Sequence, residues 1–226
     1  MKKTWYTEAA YLLGIVILAL GTALMEKADF GLSMVVAPAY LLHLKVSQFF
    51  PFFTFGMAEY CLQGVILVLL ALVMRRFRLS YLFSFGTALL YGLTLDAVMA
   101  LTGWLPDTSI VLRTIYYLLG MAIGSVGVSL FFFSYITPEA YELFVKELAQ
   151  KLGKPMDRVK TVYDIVSCVV SIALSFAFFG LGHFEGIKWG TILCALINGT
   201  LIGLCSRYLT RHFDFADRLP WRKYFQ

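Results

Sequence analysis

Three acidic residues stand inside long apolar stretches: Glu59 in FGMAEYCLQGVILVLL, Asp96 in YGLTLDAVMALTGW and Asp164 in KTVYDIVSCVV. A charged side chain at the centre of a bilayer costs about 2.5–3.5 kcal/mol on insertion scales, so such groups are kept where they face a cavity and bind protons, cations or solutes. Tyr60 follows Glu59 and Tyr163 precedes Asp164, which gives the two acids matched aromatic neighbours. The competing reading is that each acid sits at a membrane edge, capping a helix or pairing with Arg113 or Arg158. Asn198, beside Gly199 and Thr200, either opens its amide to a cavity or bonds to a neighbouring helix. Ser33 and Thr137 are further candidate ligands for a polar solute, and Asp29 belongs to a charged group with Glu26 and Lys27. The chemistry these residues offer is reversible binding, not bond making. Cys61, Cys168, Cys194 and Cys205 read as small, reduced core residues, and His43, His183 and His212 are scattered. Without a nucleophile–base pair, a Walker loop or metal-ligand spacing, the chain is expected to be no enzyme and to use neither metal nor cofactor.

The elements that must hold these groups are membrane helices. With 60% hydrophobic residues, 15% charged residues and a mean hydropathy of +0.77, the composition excludes a soluble domain. A helix crosses a bilayer in roughly 20 apolar residues, and six stretches qualify: 8–27, 54–74, 79–101, 111–134, 159–179 and 187–208. They lack the alternation of a membrane barrel. The first is too long, and lacks the cleavage site, for a removable signal peptide. Trp5, Trp104, Trp189 and Trp221 fall near the expected boundaries and read as interface anchors.

The chain repeats itself. Residues 11–24 (YLLGIVILALGTAL) recur as 117–130 (YLLGMAIGSVGVSL) at an offset of 106, with Tyr11/Tyr117, Gly14/Gly120 and Gly21/Gly127 among the identities. Gly86-Thr87 returns as Gly190-Thr191, and Glu59 falls opposite Asp164. Each copy holds three crossings, an odd number, so the second must run through the membrane upside down. Charge agrees. Of 19 Lys and Arg, only Lys27, Lys45, Arg113 and Lys188 fall near one set of span ends; the others, Lys160 included, fall in segments assigned to the cytoplasm. The same asymmetry accounts for the sequence pI of about 9.0 without a nucleic-acid partner. The expectation is an all-α membrane protein of six transmembrane helices in two inverted three-helix repeats, residues 1–105 and 106–209. A cytoplasmic tail, 210–226, would follow. Both termini would be cytoplasmic, in a bacterial inner membrane. The glycine faces, Gly120-x-x-x-Gly124 among them, suit close helix packing and also allow a homodimer.

After the first span of each copy comes a shorter segment. Residues 28–44 are apolar but interrupted by Pro38, and read as either an interfacial or a broken, re-entrant helix. In 137–152, Thr137 is expected as N-cap with Pro138 at the first helical position. Tyr141, Phe144, Val145, Leu148 and Leu152 then share one face, and Lys146, Glu147, Gln150 and Lys151 the other. If both segments dip inward, the N–H groups of each helix start could bind an anionic group.

The stretches Gly21–Leu32, Ile136–Leu143, Asp157–Thr161 and Gly190–Gly199 resemble the YczE/YyaS/YitT family of bacterial integral membrane proteins. The resemblance implies the membrane architecture more than any activity. Members look like G-L-G-P-W-D in the first half and P-R-D-G-L in the second; here Val36 and Ala140 stand where acids would be expected, with Glu139 and Glu142 nearby. The leading functional expectation is an ATP-independent secondary transporter of a small polar metabolite. Its substrate would bind between the repeats, with Glu59 and Asp164 coupling protons or cations. Alternatives are a substrate-capture membrane subunit of a larger uptake complex, or a membrane regulator that presents residues 146–160.

Overall fold

The computed structural model describes residues 3–106, 108–182, 184, 187–220 and 222, the side chains of 156 and 157 excepted. Trp221 and His183 lie outside the described residues. In chain order the elements are β1 (Lys3–Tyr6), α1 (Thr7–Ala28), α2 (Ala37–Val46), α3 (Phe55–Met74) and α4 (Leu79–Thr102). Then follow α5 (Ile110–Phe133), α6 (Ala140–Leu152), α7 (Met156–Phe179), α8 (Trp189–His212) and β2 (Phe213–Ala216). Long, short, long, long is thus the helix order, twice. Six of the helices are long and apolar enough to cross a membrane, and they place the protein in a lipid bilayer as a multi-pass chain. Their outer faces present Val65, Val68, Leu72, Leu93, Val162, Val169 and Leu196, while Glu59, Gln63, Ser125 and Asp164 are buried. Apolar outside and polar inside suits lipid as solvent.

At the centre α1 packs along α5, and the repeated motif forms the seam. A Cβ on Gly21 would lie 2.7 Å from both the Gly120 carbonyl and the Gly124 nitrogen, and one on Gly127 would lie 2.7 Å from the Leu18 nitrogen. Only glycine lets the backbones come this close. Around this pair, α1 contacts α4 and α5 contacts α8; α3 packs on α4 and α7 on α8. The short helices cross over: α2 packs on α3 and α7, and α6 on α7 and α3. The contacts α1–α4, α2–α3, α3–α4 and α2–α7 have counterparts in α5–α8, α6–α7, α7–α8 and α6–α3, whereas α4 also touches α6.

Each repeated tyrosine bonds to the Gly-Thr pair of the partner helix in its own half, Tyr11 to Thr87 and Tyr117 to Gly190. Among the described residues the Thr191 hydroxyl makes no hydrogen bond. Tyr11 and Thr87 share a hydroxyl hydrogen bond of 2.8 Å, and Thr87 Oγ1 donates to the Thr137 carbonyl at 2.9 Å. In the other half Tyr117 donates to the Gly190 carbonyl, and the Gly190 N–H donates to the Phe30 carbonyl at 3.0 Å. Gly31, at φ 100°, lies against Thr191, where any Cβ would collide with its hydroxyl.

Several expectations need correction. The strands were not foreseen: β1 pairs parallel with β2, Lys3 opposite Phe213 through Tyr6 opposite Ala216. Four-residue strands whose partner lies some 210 residues away carry no local signal. They bring the segments flanking α1 and α8 to one end of the bundle. Trp5 therefore packs on Phe213 and Phe215 instead of serving as an isolated anchor. The first helix of the second short segment begins at Ala140, not at Pro138, with Glu139 as its N-cap residue. Residues before it stay extended because the Thr137 and Pro138 carbonyls accept from Thr87 and Ser84 of α4. Glu147 is buried, not solvated, because Arg76 and Arg78 reach it at 3.1 and 2.7 Å. Each short helix buries one side in the bundle, Ala37, Ala39 and Leu41 in α2 and Ala140 and Val145 in α6, while Lys146, Gln150 and Lys151 of α6 are exposed. Of the cysteines only Cys194 is buried, and Cys61 is exposed.

Candidate functional site

The start of α6 is where buried polarity concentrates. Gln63, on α3, spans the gap between the two helices. Its amide nitrogen donates to Glu139 Oε2 at 2.9 Å and to Glu59 Oε2 at 3.4 Å, while its Oε1 accepts the Ala140 N–H at 3.1 Å. The Tyr141 hydroxyl donates to Glu59 Oε2 at 2.9 Å. From α7, Lys160 Nζ reaches Asp164 Oδ1 at 3.1 Å, one helical turn away, and lies 6.0 Å over the Tyr163 ring. Glu59 and Asp164 are thus each anchored by a residue four positions along the same helix, Gln63 and Lys160, on one helical face.

Between the halves lies a cavity of about 50 Å³. Its wall takes Thr22 from α1, Ser33 and Val36 before α2, Tyr91 from α4, Ser125 from α5, Lys160 from α7 and Asn198 from α8. Glu139, Tyr141 and Glu142 complete it at the start of α6. Thr22 and Tyr91 are hydrogen bonded at 2.8 Å, and Ser125 donates to Asn198 Oδ1 at 3.0 Å. Glu59 and Asp164 stand one layer back, where they hold Tyr141 and Lys160, both of which reach the wall. Glu139 Oε1 and Glu142 Oε2 are buried and make no hydrogen bond.

Four buried carboxylates, Glu59, Glu139, Glu142 and Asp164, thus share one buried ammonium, that of Lys160. Ionised together they would leave uncompensated charge at high cost. Burial, then the charges of Glu142 and Glu59, pushes the Glu139 carboxyl well above the ordinary carboxylate range. Burial raises Glu142 too, against the pull of Lys160.

The remaining candidates have other surroundings. Asp96 caps α3 from the side, accepting from Thr54 Oγ1 at 2.6 Å and from the Gly56 N–H at 2.9 Å. Asp29 is exposed and bridges Arg113 and Lys188 at 2.7 and 2.6 Å, so Arg113 does not serve Glu59. Tyr60 packs against Gly92, away from the cavity wall. Thr137 is buried, its hydroxyl making no hydrogen bond while its carbonyl is taken by Thr87. At the starts of the two short helices several donors are already taken. The Val36 and Ala37 N–H groups donate to the Ser33 carbonyl at 3.0 and 2.9 Å, and the Ala140 N–H is held by Gln63.

Gln63, Tyr141, Glu139, Glu142 and Lys160 were not singled out from the sequence as site residues. Lys160 stands at the edge of the 159–179 span and reads from the sequence as a cytoplasmic cation; in the fold the first turns of α7 bury it beside Asp164. The spacings Glu59-x-x-x-Gln63 and Lys160-x-x-x-Asp164 were the available signal. Glu139 and Glu142 gave none, because acids at a helix start are ordinary.

The two ends of the molecule are lined differently, and each carries an open recess, the one beside Asp29 and Arg113 holding about 460 Å³. Beneath the Asp29 bridges, Phe30 packs on Tyr117 and Trp189, with the Arg113 guanidinium 5.3 Å from its ring. At the end that carries the strands, a groove of about 650 Å³ is lined by Phe131, Ser134, Pro138, Lys146, Lys154 and Glu142. Glu142 borders both cavity and groove. The chain belongs to the family of unknown function DUF6198. That family's model matches residues 5–207, which covers all six long helices apart from the last turn of α8. No curated protein and no solved structure matches the chain.

Proposed function

We propose that the protein is a secondary transporter of a small polar solute, built from two inverted repeats and coupled to protons or cations through buried carboxylates. The observation that carries this reading is the excess of buried acid around a cavity between the repeated halves. A structural core gains nothing from several carboxylates with one partner, whereas a site that exchanges charged cargo needs them. The paired contacts α1–α4 with α5–α8, and α2–α7 with α6–α3, support a twofold relation between the halves. Alternating access follows if the halves exchange conformations. With the termini in the cytoplasm, as the charge asymmetry favours, the groove beside Glu142 opens inward and the Asp29 bridges lie on the outer side. The resemblance to the YczE/YyaS/YitT proteins is consistent with a bacterial inner-membrane setting.

Uptake into proteoliposomes under an imposed proton gradient tests the reading. Purified wild-type protein is expected to move at least one small polar solute, and Glu59→Gln combined with Asp164→Asn to abolish coupling. Failure of every solute and gradient, with stoichiometric capture of an ATPase partner from the membrane, would replace it with an uptake-complex subunit.

A further inference from the structure

We infer that the cavity binds one small ammonium-type cation between Glu139 and Glu142, in exchange for a proton. The inference deepens the transport reading by naming a substrate class, but its test needs no transport.

Charge decides the sign. Lys160 is committed to Asp164, and Gln63 supplies donors to Glu139 Oε2 and Glu59 Oε2. Glu139 Oε1 and Glu142 Oε2 remain without a donor although the two residues are only 2% and 5% exposed and both form the wall. A carboxylate can only accept, so its complement here is a group with N–H donors. An anion would meet the same two acids and, as the one base in the wall, Lys160, which is paired with Asp164; the Ala140, Val36 and Ala37 N–H groups are taken.

The wall decides the kind of cation. Tyr91 and Tyr141 contribute aromatic side chains to the wall, and Met25 and Met121 polarizable thioethers, surroundings that suit an ammonium group better than a strongly hydrated metal ion. Among the described residues no group of His, Cys, Asp or Glu is arranged to hold a metal. Size sets a limit. On the measure by which one water needs about 10–15 Å³ the cavity offers about 50 Å³, which has room for a small cation such as ammonium or methylammonium.

Exchange follows from the surroundings. Tyr11 from α1, Glu59 from α3, Tyr91 from α4, Tyr141 from α6 and Lys160, Tyr163 and Asp164 from α7 face one or both acids, and Lys160 is the one cation among them. Burial and mutual repulsion therefore favour the protonated acids. When the ammonium ion binds, one carboxyl O–H bond breaks, the proton leaves along the groove bordered by Glu142, and the charge of the site is unchanged.

Equilibrium binding of labelled methylammonium to the full chain in detergent, in weak buffer with a pH dye, tests this. We expect saturable binding that releases about one proton per cation, competition by ammonium, and none by acetate or sodium. Removing one partner of a buried charge pair costs enough that Glu139→Gln or Glu142→Gln should weaken binding at least about thirtyfold, while exposed Asp214→Asn should leave it unchanged. Absent saturable binding, binding without proton release, competition by acetate or sodium, or unchanged affinity in both variants would overturn the inference. The wild-type readouts decide it even if a variant fails to fold. Flux of an anion or neutral solute without methylammonium binding would leave the transport reading standing and end this one. Binding without flux of any solute would do the reverse.

Discussion

The segments that follow the first long helix of each half occupy corresponding places and carry opposite chemistry. At the offset of 106, Ser33 answers to Glu139 and Val36 to Glu142, and all four line the cavity. Phe30 and Gly31 are gripped by Gly190 and Thr191, as Thr137 is by Thr87. The backbone frame is thus held in common, while the acids lie on one side only. The difference extends outward: where the second half has Lys160, the first has Phe55, fully buried among apolar neighbours. Matching Tyr and Gly contacts recur in the two sets of helices, and the charge they carry is distributed asymmetrically.

The largest test of that asymmetry is Lys160→Met. Removing one member of a buried ion pair leaves the other uncompensated, so we expect a loss of about 3–5 kcal/mol, measured by unfolding in detergent. Lys160→Met with Asp164→Asn should recover most of it, since no buried carboxylate would then be left without its partner. A loss in the single variant below about 1 kcal/mol would show that Asp164 needs no partner.

The shared scaffold should respond less. Gly21→Ala places a methyl against the Gly120 and Gly124 backbone, and overpacking of this kind costs about 1–3 kcal/mol. Gly86→Ala meets open space and should be neutral or slightly stabilising, because alanine favours helix by about 1 kcal/mol over glycine. Equal losses in the two variants would contradict the seam as the structural centre.

The third effect is a slope with pH. Glu139 and Glu142 are raised by burial, so the folded protein binds more protons than the unfolded chain above the ordinary carboxylate range. Their contribution is fully present at acid pH and is lost as pH rises through their raised values, by at most about 1.4 kcal/mol per pH unit and group. Melting curves from about pH 5 to pH 8 should show stability falling, and Glu139→Gln with Glu142→Gln should flatten the fall. Stability rising with pH would reverse the sign of the argument.

Much of the frame was legible in the sequence. Long apolar runs marked the six spans, and Tyr11/Tyr117 with their glycines marked the central pair, because a lipid solvent and close helix packing restrict residue type strongly. The site was legible only in outline. Glu59 and Asp164 drew notice as acids in apolar runs, yet the structure sets them behind Tyr141 and Lys160. Gln63 is uncharged and Lys160 stands at the edge of its apolar run, so neither raised hydropathy as a flag. Glu139 and Glu142 become unusual only once the start of α6 is seen to be buried, a tertiary fact. The β1–β2 pair was invisible for the same reason.

The transport reading stands most directly on one measurement. Vesicles with the reconstituted protein and an internal pH dye are exposed to small polar solutes one at a time. We predict that at least one solute drives proton movement with wild-type protein, and that Glu139→Gln slows it about a hundredfold, as loss of a buried charge contact should. Proton movement at the wild-type rate in Glu139→Gln, or none with any solute in wild-type vesicles, would contradict the account.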